Sequence, residues 1–338
     1  QSDGITGVPS GFTALDRITG GWQKTDLLII AARPGMGKTA FVLTIARNAS
    51  VEFNRPIAVF SLEMGALQLV NRLISSEAEL NQDKLRKGQL QQFEFVQLNE
   101  RIKKLAKAPL YIDDTPALSI FELRAKARRL KEQNNIEMII IDYLQLMTAG
   151  SEGKGNREQE ISLISRSLKA LAKELNIPII ALSQLSRDVE KRNTASKRPM
   201  LSDLRESGAI EQDADMVMFI YRPEYYGMDQ DEKGQPTKGR AEIIIAKNRN
   251  GSLEDVPLRF IGQFAKFADL DYIESGQTMY NAQSGIEPSN EFLAEGQTQQ
   301  SFTMPSKNWD EQNLLGGSDI KKGDPKNDID DINDNFPF

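Results

Sequence analysis

The sequence predicts an α/β fold, a mostly parallel twisted sheet with helices on both faces. Two observations carry this. Short apolar runs rich in β-branched residues recur at 27–30, 56–62, 136–141, 177–182 and 216–221. They are continuous rather than alternating, as in strands buried on both faces. Helically patterned segments lie between them, and strands joined through helices make right-handed parallel crossovers.

The chain opens on Gln1 rather than Met, so it is read as the later part of a longer protein. Residues 1–22 are expected to be a lead-in with turns, given their glycines and Pro9. Phe12, Leu15 and Ile18 are spaced to anchor it on an apolar surface. The strand at 27–30 turns abruptly into Arg33-Pro34-Gly35-Met36-Gly37-Lys38-Thr39 and then into a helix-like segment at 40–48. That is the strand, loop and helix context of a phosphate-binding P-loop. Gly35 and Gly37 let the backbone curl so that several N–H groups face one anion, and the new helix adds its positive end. Lys38 is placed to neutralise β/γ-phosphates and Thr39 to hold Mg²⁺ through its hydroxyl. Arg33, Pro34, Met36 and Ala40 complete the loop expected around the nucleotide. One departure is visible: the pattern expects glycine at 32, and the chain has Ala32.

The second strand ends in Glu63, where a carboxylate points into the ligand crevice of an open α/β sheet. An ordinary glutamate at a helix start is the competing reading. An amphipathic helix is expected at 67–80, a polar peripheral helical stretch at 81–108, and a strand at 109–112 with Asp113 and Asp114 at its exit. The helix at 118–134 carries Arg124, Lys126, Arg128, Arg129 and Lys131, by default a solvated face. The run 136–141 ends in Asp142, the Walker B arrangement in which a carboxylate holds Mg²⁺, usually through water. Residues 148–156 form a Gly-rich flexible loop, 157–175 a helix, and 177–182 a strand ending at Ser183 and Gln184. An amide at Gln184 is placed to sense a γ-phosphate.

Residues 186–198 are polar and basic, and 199–215 alternate charged with small residues. After the strand at 216–221, residues 225–239 look like a loop insertion, and 240–247 and 256–260 resemble two arms of a hairpin. From 274 onward apolar residues are sparse, and the segment is expected to be disordered. Its acidic end closes on Phe336-Pro337-Phe338, read as a solubilising tail, as a docking tip for a partner, or as a segment that folds back on the chain's own binding channel. The expected organisation is therefore 1–22 lead-in, 23–273 nucleotide-binding domain, 274–338 acidic tail.

Composition narrows the chemistry. Of 338 residues none is cysteine or histidine. Disulfides, thiolate catalysis, Cys-bound zinc, a Ser–His triad and imidazole metal sites are thereby excluded. The net charge of −6 argues against a uniformly basic nucleic-acid binder, although it permits a local basic patch. No run approaches the length of a membrane span and no signal peptide opens the chain, so no membrane partner is expected.

The strings ARPGMGKT, FSLEM, IIDYLQLM, SQLSR, SDLRESGAIEQDAD and IIAKNRNG together resemble the C-terminal RecA-like motor domain of DnaB-type replicative DNA helicases. The resemblance spans roughly residues 6–268. It implies a RecA-like P-loop NTPase that uses ATP and Mg²⁺ and translocates 5′→3′ on single-stranded DNA as a homohexameric ring. By this resemblance Lys38, Thr39 and Asp142 hold phosphate and metal, Glu63 polarises the attacking water, and Gln184 couples hydrolysis to movement. Arg72 lies near the nucleotide base, and Lys247 and Arg249 reach the neighbouring subunit's nucleotide, with Arg249 as arginine finger. Arg205, Glu206 and Gly208 match a loop that holds the strand backbone. On the residues alone, Arg205 also reads as a helix salt bridge to Glu206 or Asp203. Primase, a helicase loader and other replisome proteins are implied partners, and the implied location is cytoplasmic, at replication forks on the nucleoid. The family's N-terminal helical domain and linker helix are not matched. A RecA-fold ATPase acting as a recombinase or switch stays open as the second function class.

Overall fold

The computed structural model describes residues 4–150, 157–190, 192, 197–231 and 234–272, with the backbone alone at 205–207. The expected loop at 151–156 and the acidic segment from 274 lie outside these residues. The elements in chain order are α1 (Thr13–Thr19), β1 (Leu27–Ala32), α2 (Lys38–Arg47), β2 (Ile57–Ser61), α3 (Ala66–Ala78), α4 (Gln82–Lys87), α5 (Gln92–Leu105), β3 (Leu110–Asp113) and α6 (Ile120–Asn134). They continue with β4 (Met138–Asp142), α7 (Arg157–Leu175), β5 (Ile179–Gln184), α8 (Gly208–Asp213), β6 (Met216–Tyr221), β7 (Arg240–Asn248), β8 (Asp255–Ile261) and β9 (Lys266–Ala268).

The strands form one sheet in the order β3-β2-β4-β5-β1-β6-β7-β8-β9. From β3 to β6 all pairings are parallel, and from β6 to β9 all are antiparallel. β1, β2, β4 and β6 are buried at every position, which is why their sequences are apolar without alternation. Alternate side chains nonetheless divide between two cores. Leu28, Ile30, Val59 and Ile140 meet Phe41 and Ile45 of α2 and Leu69 and Leu73 of α3. Leu27, Ile29, Phe60 and Ile141 meet Leu123 of α6, Leu168 and Leu171 of α7 and Ile210 of α8. The helices thus cover both faces.

Some boundaries differ from the sequence expectation. The stretch 81–108 is two helices, because Gly88 ends α4 in the left-handed conformation at φ 65° and Asn81 caps its start. The basic helix starts at Ile120, where Ser119 and Glu122 bond each other's backbone N–H in a capping box. The lead-in contains α1. The 225–239 stretch starts inside a 3₁₀ turn, Pro223–Tyr226, and is pinned by a bridge between Gln230 and Pro236. The hairpin of β7 and β8 is present, extended by β9, whose three residues are too short to show a pattern.

The lead-in is seated in the core. Asp16 accepts from the N–H groups of Ser10 at 2.8 Å and Gly11 at 3.0 Å, closing a tight loop. Phe12 then stacks on Phe41 of α2 with centroids 5.4 Å apart, and Phe41 meets Phe267 of β9 edge-on at 5.2 Å. Nearby, Thr13 donates to Asp269 from both its N–H (3.1 Å) and its hydroxyl (2.8 Å).

At the opposite edge of the sheet from the P-loop, half-buried Asp26 precedes β1. Burial pushes its carboxyl from 3.8 up to about 6; Asp215 adds repulsion, while Lys169 and Arg249 oppose it. The folded chain therefore keeps a proton that the unfolded chain releases, and Asp26 costs stability increasingly as pH rises from 3.8 to about 6. Asp26→Asn is expected to raise the unfolding midpoint at pH 7, with the gain vanishing below pH 4, as followed by denaturant titration across pH. A uniform shift at all pH values would assign the effect to something other than this proton. Phe12→Ala, which leaves a void against Phe41, is expected to cost about 3–5 kcal/mol in the same measurement. A loss under 1 kcal/mol would mean that the lead-in is not part of the cooperative core.

Candidate functional site

Four adjacent parallel strands deliver their carboxyl ends to one edge, in the order β2, β4, β5, β1. Such an edge is where open α/β sheets bind ligands. β1 ends at Ala32, paired with Gln184 at the end of β5. The chain then turns through Gly35 at φ 81° and Gly37 at φ 96°, and α2 begins at Lys38 itself, two residues earlier than its apolar pattern indicates. Gly37 is required on two counts. Its φ is left-handed, and a Cβ there would approach Phe267 at 3.2 Å and Phe260 at 3.3 Å.

Thr39 donates its hydroxyl to Oδ2 of Asp142 at 2.7 Å. Asp142 is 2% exposed, and its Oδ1 has no hydrogen-bond partner among the described residues. Burial pushes the Asp142 carboxyl up and Glu63 adds to this, against the Thr39 hydrogen bond and the charges of Lys38 and Arg72. A buried carboxylate with one unsatisfied oxygen beside a hydroxyl is a hard-oxygen donor pair, and it fits Mg²⁺. Among the described residues no cluster of three carboxylates forms a complete cage.

Lys38 Nζ reaches the carbonyls of Ser183 (3.2 Å) and Ala32 (3.4 Å) and sits 5.4 Å from the Tyr143 ring centroid. Burial pushes its ammonium down, while Asp142 and Glu63 push it up. Ser61 pairs with Asp142, and Leu62 N–H donates to the Asp142 carbonyl at 2.7 Å. This sets exposed Glu63, the next residue, beside the same site, where its charge acts on Lys38, Asp142 and Tyr143. Arg72 on α3 acts on Asp142 by its charge.

The remaining loop residues divide by role. Met36 and Ala40 are buried and offer backbone only, while Pro34 is exposed. Arg33 turns its guanidinium to Glu190 (2.7 Å) and the Leu185 carbonyl (2.8 Å), so it ties the loop to the segment after β5.

Three groups escaped the sequence reading. Gln145, within the IIDYLQLM string, donates to Ser183 Oγ at 2.9 Å and accepts from Gln184 N–H at 3.3 Å, joining the ends of β4 and β5. Arg222 lies 4.0 Å over the Phe260 ring and donates to the Gly35 carbonyl at 3.2 Å. Half-exposed Tyr225 stands against Gly35, where a Cβ would come within 2.9 Å of its ring. The dipeptide Arg222-Pro223 at a strand exit was the available signal for the last two.

Lys247 and Arg249 are not at this edge. β7 runs antiparallel to β6, so its end pairs with the start of β6, Met216 with Asn248. Lys247 donates to the carbonyls of Glu211 and Ala214, and burial pushes its ammonium down. Arg249 donates to the Gln212 carbonyl and pairs with Asp215 at 3.3 Å. The six residues of β1 separate the two edges by roughly 20 Å. Gly208 begins α8, exposed, with open space where a Cβ would stand. The backbone of Arg205 and Glu206 lies in the preceding 3₁₀ segment, Leu201–Ser207, and their side chains lie outside the described residues.

Comparison with known proteins assigns the architecture. The family description "DnaB-like helicase C terminal domain" matches residues 7–269. The chain is 52% identical over 267 residues to the replicative DNA helicase DnaB of Geobacillus stearothermophilus, covering 79% of this chain and 57% of that protein. It is 51% identical over 267 residues to the replicative DNA helicase DnaC of Bacillus subtilis (strain 168), with the same two coverages of 79% and 57%. The chain thus spans a little over half the length of these relatives. Among solved structures it superposes on one described as an ATPase domain with TM-score 0.74 and 42% identity, over 80% of this chain and 93% of that one. A second, described as a DnaB-like replicative helicase and its interactions with primase, gives 0.73 and 42%, over 79% and 62%. With this likeness over most of the chain and a sheet of the RecA-like order, the chain belongs to the DnaB-like helicase C-terminal domain family.

Proposed function

We propose that this chain is the motor part of an ATP-dependent replicative DNA helicase, moving 5′→3′ on single-stranded DNA as a homohexameric ring. One observation carries the reading: phosphate-site residues gather at one edge of the sheet, and Lys247 and Arg249 stand at the other. A gap of roughly 20 Å is several times the reach of an arginine side chain, so Arg249 can serve a phosphate only on another copy. An arginine supplied in trans is worth about 10³–10⁵ in rate. Ring assembly gives that arginine a target.

The chemistry asked of the residues follows. Backbone N–H groups of 35–39 and the Lys38 ammonium hold the β/γ-phosphates, and the Thr39 hydroxyl with the Asp142 carboxylate holds Mg²⁺. When bound, the ion neutralises charge that develops on the transferred phosphoryl group. Glu63 orients the attacking water and takes its proton. Gln184, its backbone tied to Gln145, faces the γ-phosphate and passes its departure to the segment after β5. Arg72 supports the base. Arg205, Glu206 and Gly208 hold the strand's phosphates whatever the base sequence, with Glu206 orienting a basic neighbour. Primase, a loader and other replisome proteins are the proposed partners, in the cytoplasm at replication forks. The proposed organisation is a lead-in at 1–22, the motor at 23–273 and an acidic tail at 274–338. Among the described residues no helix is long and apolar enough to cross a membrane.

The direct test is ATP-dependent displacement from a forked duplex: unwinding should need a 5′ single-stranded tail, and ATP hydrolysis with no displacement from any fork would leave the recombinase or switch reading. Glu63→Gln is expected to keep nucleotide affinity while lowering kcat about 10²–10⁴-fold. Near-normal turnover would assign the base elsewhere. Arg249→Ala should abolish hydrolysis with nucleotide affinity nearly intact, and mixing it with Lys38→Ala subunits should restore part of the activity. Equal loss in a strictly monomeric preparation would show the arginine acting in its own subunit.

A further inference from the structure

We infer that Asp215 is a positioning residue for Arg249, and that α8 joins the pair Lys247 and Arg249 mechanically to the segment proposed to touch the DNA strand. The inference rests on the proposed role of Arg249 at a neighbour's nucleotide and goes beyond it by saying what sets the guanidinium in place.

The side-chain hydrogen bonds of Lys247 and Arg249 described here all go to residues 211–215. Lys247 Nζ donates to the carbonyls of Glu211 and Ala214, the latter at 2.8 Å. Arg249 donates through Nη2 to the Gln212 carbonyl, through Nη1 to Asp215 Oδ1 at 3.3 Å, and through its backbone N–H to the Asp215 carbonyl at 2.9 Å. Asp215 is itself anchored. Its Oδ2 accepts from Leu27 N–H at 2.8 Å and from Lys169, whose Nζ also reaches the Thr25 carbonyl at 2.8 Å. The Asp215 side chain is 9% exposed while that of Arg249 is 47% exposed, so a buried carboxylate presents a guanidinium that faces outward. One oxygen holds the sheet and α7; the other holds the arginine.

The helix that leads into this stretch, α8, begins at Gly208, the described member of the proposed strand-contact set. α8 is six residues, about 9 Å long, with no glycine or proline after its first position to act as a joint. Its inner side is fixed by fully buried Ile210. A displacement at Gly208 is therefore passed to the carbonyls of Glu211, Gln212 and Ala214, and with them to Lys247 and Arg249. A strand bound by one subunit thereby adjusts the arginine that this subunit offers its neighbour.

The test measures ATPase kcat and KM of the full chain, with and without oligo(dT), together with strand affinity by fluorescence anisotropy. Asp215→Asn loses the charge and leaves one acceptor oxygen where Arg249 on one side and Leu27 N–H with Lys169 on the other now use two. It should lower DNA-stimulated kcat about tenfold, as expected for weakening a hydrogen bond to a charged group. KM for ATP and strand affinity should stay within about twofold of the parent. Mixed with Lys38→Ala subunits it should recover activity as Arg249→Ala does, a readout that general loosening of the fold would not produce. Should Asp215→Asn fail to fold, Ala209→Gly decides: it weakens α8 without touching a charge. That variant should lose DNA stimulation while basal kcat stays. Parent-like stimulation in whichever variants fold would overturn the inference. Parent-like hydrolysis by Arg249→Ala would instead remove the finger reading on which it stands.

Discussion

Strand direction governs this molecule. In a parallel sheet every carboxyl end lies on the same edge, so residues far apart in sequence meet there without any loop having to carry them. Thr39 and Asp142, 103 positions apart, are within hydrogen-bond distance because β1 and β4 flank β5 in the same direction. The first reversal, at β7, then has an effect no loop insertion would match. It sends Lys247 and Arg249 to the far edge, so the two edges of the sheet are chemically unlike.

Part of the site edge is buried, and this shapes its electrostatics. Arg33, Asp142 and Ser183 are buried, and Lys38 and Asp142 are each pushed toward their neutral forms by burial and back toward charge by one another. In a low-dielectric setting an incomplete set of charges is costly. Gln145 and Arg222 hold the frame around those charges: one joins the ends of β4 and β5, the other props the loop carbonyl of Gly35.

Much of this was legible in the residues because it is written locally. An apolar run ending in Asp142, a Gly-rich turn ending in Lys38 and Thr39, and a carboxylate after the 56–62 run each carry their meaning within about ten positions. What was not legible depends on partners distant in sequence. Nothing near Arg33 announces that Glu190 takes its guanidinium, and nothing near Gln145 announces Ser183. The position of Lys247 and Arg249 required knowing that β7 is antiparallel, a property of pairing rather than of the string IIAKNRNG. The division of 81–108 hung on one glycine, a residue whose backbone freedom allows a left-handed cap without requiring it.

The aromatic run Phe12–Phe41–Phe267 has a consequence for synthesis. The helix that starts at Lys38 is packed on one side by a ring made almost at the beginning of the described chain and on another by a ring made almost at its end. Thr13 and Asp269, bonded across a separation of 256 residues, close the same seam. A nascent chain emerges amino end first, so the P-loop helix leaves the ribosome long before Phe267 exists to complete its surroundings. The packing around Phe41 is thereby among the last parts of this domain to be completed, because it waits for the chain to reach β9.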